Sequence, residues 1–285
     1  MARELCVGIT SWNSALFLGL CIDAIRLTTS NLDSRIIVAD NGSSDASVEI
    51  AREHGAEVVS SRGSQAMALN MLLNMSRSRR TLLIHSDVIL LSRNWYDICN
   101  RCLTDKCALV SPEDIGCGPY TRPWGVGKPE SSFLLFDTEM AKSMRQWYWR
   151  QRFKMRLPHR ALDLFGEHVT YNLPAVLRRG GLTWTMMEVH TSTEEAEPFY
   201  APHFKTKYWN ELWGRLRYEL GNFYSINGII THYHNWFDRV QEANVPIDST
   251  EMVPREGGFP LAFLKLYTDR FLSDLRTGAI IIPKL

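Results

Sequence analysis

Residues 35–47, RIIVADNGSSDAS, hold a strand, a turn and the start of a helix in one uninterrupted run. Ile36, Ile37, Val38 and Ala39 are apolar in succession, the pattern of a strand covered on both faces. Asp40-Asn41-Gly42-Ser43 then supplies turn chemistry, and Ser44 or Asp45 can cap the helix that follows. Four more apolar segments repeat the theme: LCVGIT at 5–10, AEVVS at 56–60, TLLIH at 81–85 and CALVSP at 107–112. Helix-like stretches fill the spaces between them. From Ser14, the positions Leu16, Phe17, Leu20, Cys21, Ala24 and Ile25 follow i, i+3, i+4 spacing, and Ser64 is placed to cap the third helix. Strands alternating with helices predict βαβ units and a parallel sheet.

In such a sheet, ligands gather outside the carboxyl ends of the strands. The polar groups of this chain lie there: Thr10-Ser11-Trp12-Asn13, Asp40-Asn41-Gly42-Ser43, Ser60-Ser61-Arg62-Gly63 and His85-Ser86-Asp87 end the first four strands. Four polar strand ends are expected on one rim. No G-x-G-x-x-G follows the first strand, and neither G-x-x-x-x-G-K-[ST] nor G-x-S-x-G occurs, which argues against dinucleotide dehydrogenases, P-loop enzymes and α/β-hydrolases.

Composition narrows the class further. The 285 residues are 45% hydrophobic and 22% charged, as in an ordered globular protein. Thirty-two Lys and Arg against 31 Asp and Glu leave a net charge of +1, so no global attraction to nucleic acid is expected. Six cysteines without a secretory segment fit reduced thiols and a cytoplasmic location. The longest apolar run, 15–22, is far short of the ~18 residues of a membrane span. Cys99 and Cys102 form half of a zinc pattern with no second half, and suit a helix core better.

Taken together, VGITSWN at 7–13, IIVADNGSSDAS at 36–47, HSDV at 85–88 and GEHVTYNLPAVLRRGG at 166–181 resemble the family 2 glycosyltransferases in content, order and spacing. The resemblance implies an α/β protein of the GT-A fold: a Rossmann-like, mostly parallel central sheet flanked by helices, with a helical C-terminal extension. Residues 1–236 would form the glycosyltransferase domain, with a nucleotide-sugar-binding half at 1–112 and an acceptor half at 113–236. Residues 237–285 would be the extension. The implied activity is metal-dependent, inverting transfer of a sugar from a nucleotide-sugar donor to an acceptor hydroxyl, in the setting of cell-surface glycan assembly. A catalytically inactive nucleotide- or glycan-binding module of the same fold is the alternative.

By the same resemblance, Asp87 matches the last aspartate of the family's D-x-D motif and is the metal ligand, for Mn2+ or Mg2+. His85 stands where the family has the first aspartate. A cation at the leaving diphosphate stabilises the charge that grows as the glycosidic bond breaks. The donor-binding set is Thr10, Ser11, Asn13, Asp40, Asn41, Arg62, His85 and Ser86, with Asp40 directed to base or ribose and Arg62 to pyrophosphate. The plain structural alternatives are a turn cap for Asp87, an Asx turn for Asp40 and a solvent-facing arginine for Arg62. The G-E-D turn that carries the family's base is Gly166-Glu167-His168 here, which puts Glu167 first and His168 second as catalytic base. In GIITHYHNW at 228–236, His232 and His234 fall on one side of an extended strand; His232 is the candidate for a late metal ligand, with His234 and His190 as rivals.

Residues 144–160, MRQWYWRQRFKMRLPHR, hold six Lys or Arg, four aromatics and no acid. Arg150, Arg152 and Lys154 in this stretch suit the phosphate of a lipid-linked acceptor or an acidic glycan, with peripheral contact to a membrane. Tyr208, Trp209 and Trp213 have helical spacing and read as core. Residues 259–275 read as an amphipathic helix fit for a homodimer contact or a membrane surface.

Overall fold

A computed structural model describes residues 3–117, 120–121, 125–143, 169–190 and 221–235. In chain order the elements are β1 (Leu5–Ser11), α1 (Ala15–Thr28), β2 (Ser34–Asp40), α2 (Ser47–Glu53), β3 (Glu57–Ser60) and α3 (Gln65–Met75). They continue with β4 (Arg80–His85), β5 (Val88–Leu90), α4 (Trp95–Cys102), β6 (Cys107–Pro112), β7 (Gly116–Cys117) and β8 (Tyr120–Thr121). Last come β9 (Phe133–Asp137), α5 (Thr138–Ser143), α6 (Leu173–Arg179), β10 (Thr183–His190), β11 (Gly221–Ile226) and β12 (Ile229–Asn235). All five apolar segments singled out in the sequence are strands. Ser64 caps α3, its hydroxyl accepting from Met67 N.

Ten strands form one sheet in the order β3-β2-β1-β4-β9-β6-β10-β11-β12-β5. The first four are parallel, as the βαβ pattern requires. Beyond β4 the sheet is mixed, because β9 enters antiparallel between β4 and β6, and β10, β11, β12 and β5 form an antiparallel ribbon. The α/β architecture with flanking helices is therefore as expected, with the parallel register confined to the N-terminal strands and the β6–β10 pair.

Period-two alternation splits the core between two faces. Val7, Ile9, Val38, Leu82 and Ile84 pack with Leu18, Cys21, Ile22 and Ile25 of α1 and with Trp95 of α4. Cys6, Ile37, Ala39 and Leu83 face the other way, onto Leu69, Leu72 and Leu73 of α3 and Leu177 of α6. Helix α1 is buried on more than the one predicted stripe, Leu18 and Ile22 included, because it is covered by α2 as well as by the sheet, β5 included. Gly8 permits close packing of α3: a Cβ there would lie 2.9 Å from Leu72 Cβ.

The link that places the functional site is topological. Strand β5 is last in the sheet order, yet only Ser86 and Asp87 separate it from β4 in the chain. Two residues span at most ~10 Å, so the antiparallel ribbon must curl back to the C-terminal end of β4. The late strand β12 is thereby carried to the rim formed by the early strands. Cys6, Cys21, Cys99, Cys102 and Cys107 are free thiols. Cys99 is buried on α4, in line with a core role. The proposed 237–285 extension, Tyr208, Trp209 and Trp213 lie outside the described residues, and no described helix is long and apolar enough to cross a membrane.

Candidate functional site

The parallel register sets Ser11 beside Asp40, and Thr10 beside His85, so the polar ends of β1, β2 and β4 share one rim. Loop hydrogen bonds knit it together. Asp40 Oδ2 accepts from Gly42 N (3.0 Å) and Ser43 N (3.1 Å), and its Oδ1 accepts from Ser43 Oγ (2.5 Å). Gly42 adopts φ +83°, which this turn requires and which a side chain would disfavour. Asn13 Oδ1 accepts from Ser44 N at 2.8 Å, and Asn41 Oδ1 accepts from Gly63 N at 2.9 Å. Asp40, Asn13 and Asn41 thus each hold their loops in shape, the Asx-type role weighed above for Asp40. Ser86 Oγ donates to Ser14 Oγ at 2.7 Å. Arg62 is exposed, and Ser11 Oγ is buried with no hydrogen-bond partner among the described residues.

At the same rim, Asp87 occupies the turn between β4 and β5 and is only 4% exposed. Antiparallel pairing sets His234 opposite Val88, which brings its Nε2 to 3.4 Å from Asp87 Oδ1. On its other side, His234 Nδ1 lies 2.9 Å from Glu130 Oε1. His85 meets the His234 ring edge-on, with centroids 5.5 Å apart. One ligand atom from each of His85, Asp87 and His234 lies within 4.8 Å of the other two. Burial by itself would lower the His234 pKa, but the charges and hydrogen bonds of Asp87 and Glu130 outweigh it and raise the value to about 10. Two buried carboxylates around one imidazole make a pocket that favours positive charge.

Such a pocket suits a divalent cation. Asp87 Oδ1 is buried and, apart from the His234 contact, meets no hydrogen-bond donor among the described residues. Two imidazoles and a carboxylate are metal-ligand types, and His234 has in Glu130 an outer carboxylate of the kind that orients ligating histidines. His85 Nε2 is 2.7 Å from Gln65 Nε2 and 3.2 Å from Ser131 Oγ. Glu130 also accepts from the Tyr224 hydroxyl at 2.8 Å through Oε2.

Of the predicted metal ligands, the structure brings Asp87 and His234 together and adds His85, which the sequence reading assigned to the donor. His232 is placed differently. Its ring is stacked between Phe133 and Tyr224 at 4.4 and 4.5 Å, and its Nδ1 lies 2.9 Å from Thr231 Oγ1. Burial, then the charge of His234, lowers its pKa well below normal, so it is a neutral packing group. His190, 2.9 Å from Ser225 Oγ through Nε2, is also outside the cluster. Glu167, His168, Arg150, Arg152 and Lys154 lie outside the described residues. Glu130, Gln65 and Ser131 were not foreseen. Glu130-Ser131 does mirror Ser86-Asp87 as a polar pair at a strand end, but only the antiparallel direction of β9 makes the two ends meet.

The sequence matches the glycosyl transferase family 2 pattern over residues 6–172, more than half of the chain. The chain belongs to glycosyl transferase family 2. No curated protein sequence matches it significantly. Among solved structures, the glucosyl-3-phosphoglycerate synthase of Mycobacterium tuberculosis, in complex with Mn2+, UDP and glucosyl-3-phosphoglycerate, is 22% identical with a TM-score of 0.41. That match covers 50% of this chain and 59% of the synthase. A mannosyltransferase from Pyrobaculum calidifontis, in complex with GDP-Man and Mn2+, is 13% identical with a TM-score of 0.48. It is matched over 65% of this chain and 55% of its own length. This family 2 chain therefore spans less than two thirds of either structure.

Proposed function

We propose that this family 2 protein transfers a sugar from a nucleotide-sugar donor to an acceptor hydroxyl, with a divalent cation held by His85, Asp87 and His234. The observation that carries the reading is the convergence of those three side chains at the carboxyl rim of the parallel strands. There, Thr10, Ser11, Asp40 and Asn41 offer hydrogen bonds to the nucleoside, and Arg62 can pair with diphosphate oxygens. The bound cation would supply positive charge to the leaving diphosphate. Buried Asp87 and Glu130 balance that charge in a setting where water is excluded. Glu167, with His168 as the second candidate, takes the proton of the acceptor hydroxyl from the face opposite the departing nucleotide, which inverts the anomeric centre. Arg150, Arg152 and Lys154 hold a glycan or lipid-linked acceptor at the cytoplasmic membrane surface.

The test is a panel of nucleotide-sugar donors, read by nucleotide release with and without Mn2+. One donor is expected to turn over in the presence of Mn2+ and to stop on addition of a chelator. Equal turnover with and without the ion would remove the metal from the reading. Donor binding without release across the panel would leave a binding module.

A further inference from the structure

We propose that the His85–Asp87–His234 centre selects a first-row transition ion and discriminates against Mg2+; this rests on the assignment of these residues as the cation site under Proposed function. The reason is the donor set. The group offers two imidazoles and a single carboxylate. Mg2+ demands a near-octahedral oxygen shell and gives up water reluctantly, so nitrogen donors serve it poorly. Imidazole suits later ions, and affinity at mixed nitrogen and oxygen sites rises from Mn2+ through Fe2+ to Co2+.

The two imidazoles are built into the site rather than passing near it. His234 is clasped from behind by Glu130, 2.9 Å from its Nδ1, and Glu130 is itself fixed by the Tyr224 hydroxyl at 2.8 Å. His85 Nε2 lies 3.2 Å from Ser131 Oγ, which can accept its proton, and 2.7 Å from the Gln65 side-chain amide. An acceptor that takes a histidine's outer proton fixes its tautomer and ring plane and leaves the other nitrogen for an ion. Asp87, 4% exposed and short of hydrogen-bond donors, completes the set with one anionic oxygen. Exchange of His85 for aspartate would convert the group to two carboxylates and one imidazole, a harder and more anionic site.

The experiment titrates the full chain with Mg2+, Mn2+ and Co2+ by calorimetry, then repeats the series on His85→Asp. In the unmutated chain Co2+ is expected to bind more tightly than Mn2+, and Mg2+ on the order of 100-fold more weakly than Mn2+. His85→Asp should narrow the Mn2+ to Mg2+ ratio by about tenfold. Pulsed electron paramagnetic resonance of bound Mn2+ gives a readout independent of turnover: nitrogen couplings from two imidazoles in the unmutated chain and from one in the variant. Equal affinity for Mg2+ and Mn2+, or a single nitrogen coupling in the unmutated chain, would overturn the selectivity while leaving a cation site in place. Absence of binding by all three ions would overturn the site itself. The ion ranking of the unmutated chain needs no variant, so a poorly folding His85→Asp does not rescue the proposal.

Discussion

Replacing Glu130 by glutamine isolates the contribution of a buried carboxylate that touches the proposed ion only through His234. Glu130 is 3% exposed and divides its oxygens between His234 Nδ1 at 2.9 Å and the Tyr224 hydroxyl at 2.8 Å. Glutamine keeps the shape and one acceptor oxygen but removes the charge. Alanine is a poorer probe, because it strips two buried polar groups of a partner and opens a cavity. Outer partners of metal-bound histidines are typically worth about 10- to 100-fold in metal affinity, or ~1.4 to 2.8 kcal/mol. A charge-assisted hydrogen bond is independently worth ~1.5 to 3 kcal/mol, which agrees. Glu130 also favours the proton on His234 that an ion must displace, so the two effects partly cancel and the loss should sit near tenfold. Free Mn2+ counted by electron paramagnetic resonance gives the affinity, and a thermal melt confirms folding. Activity should return at high Mn2+, since the defect lies in affinity. A folded Glu130→Gln protein with unchanged Mn2+ affinity would refute the argument.

Four further outcomes are expected. Asp87→Asn should lose Mn2+-dependent nucleoside diphosphate binding by more than the ~100-fold upper end of an outer-partner change, because it removes the anionic donor itself; calorimetry that finds parental affinity would exclude Asp87 as ligand. His232→Phe should leave Mn2+ affinity within about threefold, since its ring is spent on stacking between Phe133 and Tyr224; a loss as large as that of His234→Ala would show that it reaches the ion. Glu167→Gln should keep donor binding and lose transfer by ~100-fold or more, whereas a dead His168→Ala beside an active Glu167→Gln would exchange their roles. At the opposite end of β4, Asp137→Ala leaves Arg80, a buried guanidinium, with Asn100 as its side-chain acceptor among the described residues. Breaking a fully buried pair costs ~3 to 5 kcal/mol, and the 28% exposure of the Asp137 side chain reduces the expectation to ~1 to 3 kcal/mol in urea unfolding. A change below about 0.5 kcal/mol would mean that water already satisfies Arg80.

Much of the architecture was legible in residues 5–112, because the signals are local. An apolar run followed by Asp-Asn-Gly-Ser reports its own conformation, and the cap at Ser64 and the strands β1 to β4 appear where those signals stand. Helix α2, by contrast, has Ala46 rather than Ser44 or Asp45 at its N-cap, with no side-chain cap bond. The carboxylate Asp87 was likewise visible, since polar residues ending a core strand point to the ligand-binding rim of a parallel sheet. Other features depended on contacts between distant segments. A strand does not announce its partner: register and direction are chosen by which pairing buries the right face, so the antiparallel entry of β9, and with it Glu130, could not be read from FLLFD alone. The two histidines of β12 show the same division. Their i, i+2 spacing determined by itself that His232 and His234 point to one side. Only the return of β12 onto β5 separated them, because Phe133 and Tyr224 close around the first ring while Asp87 and Glu130 flank the second with negative charge.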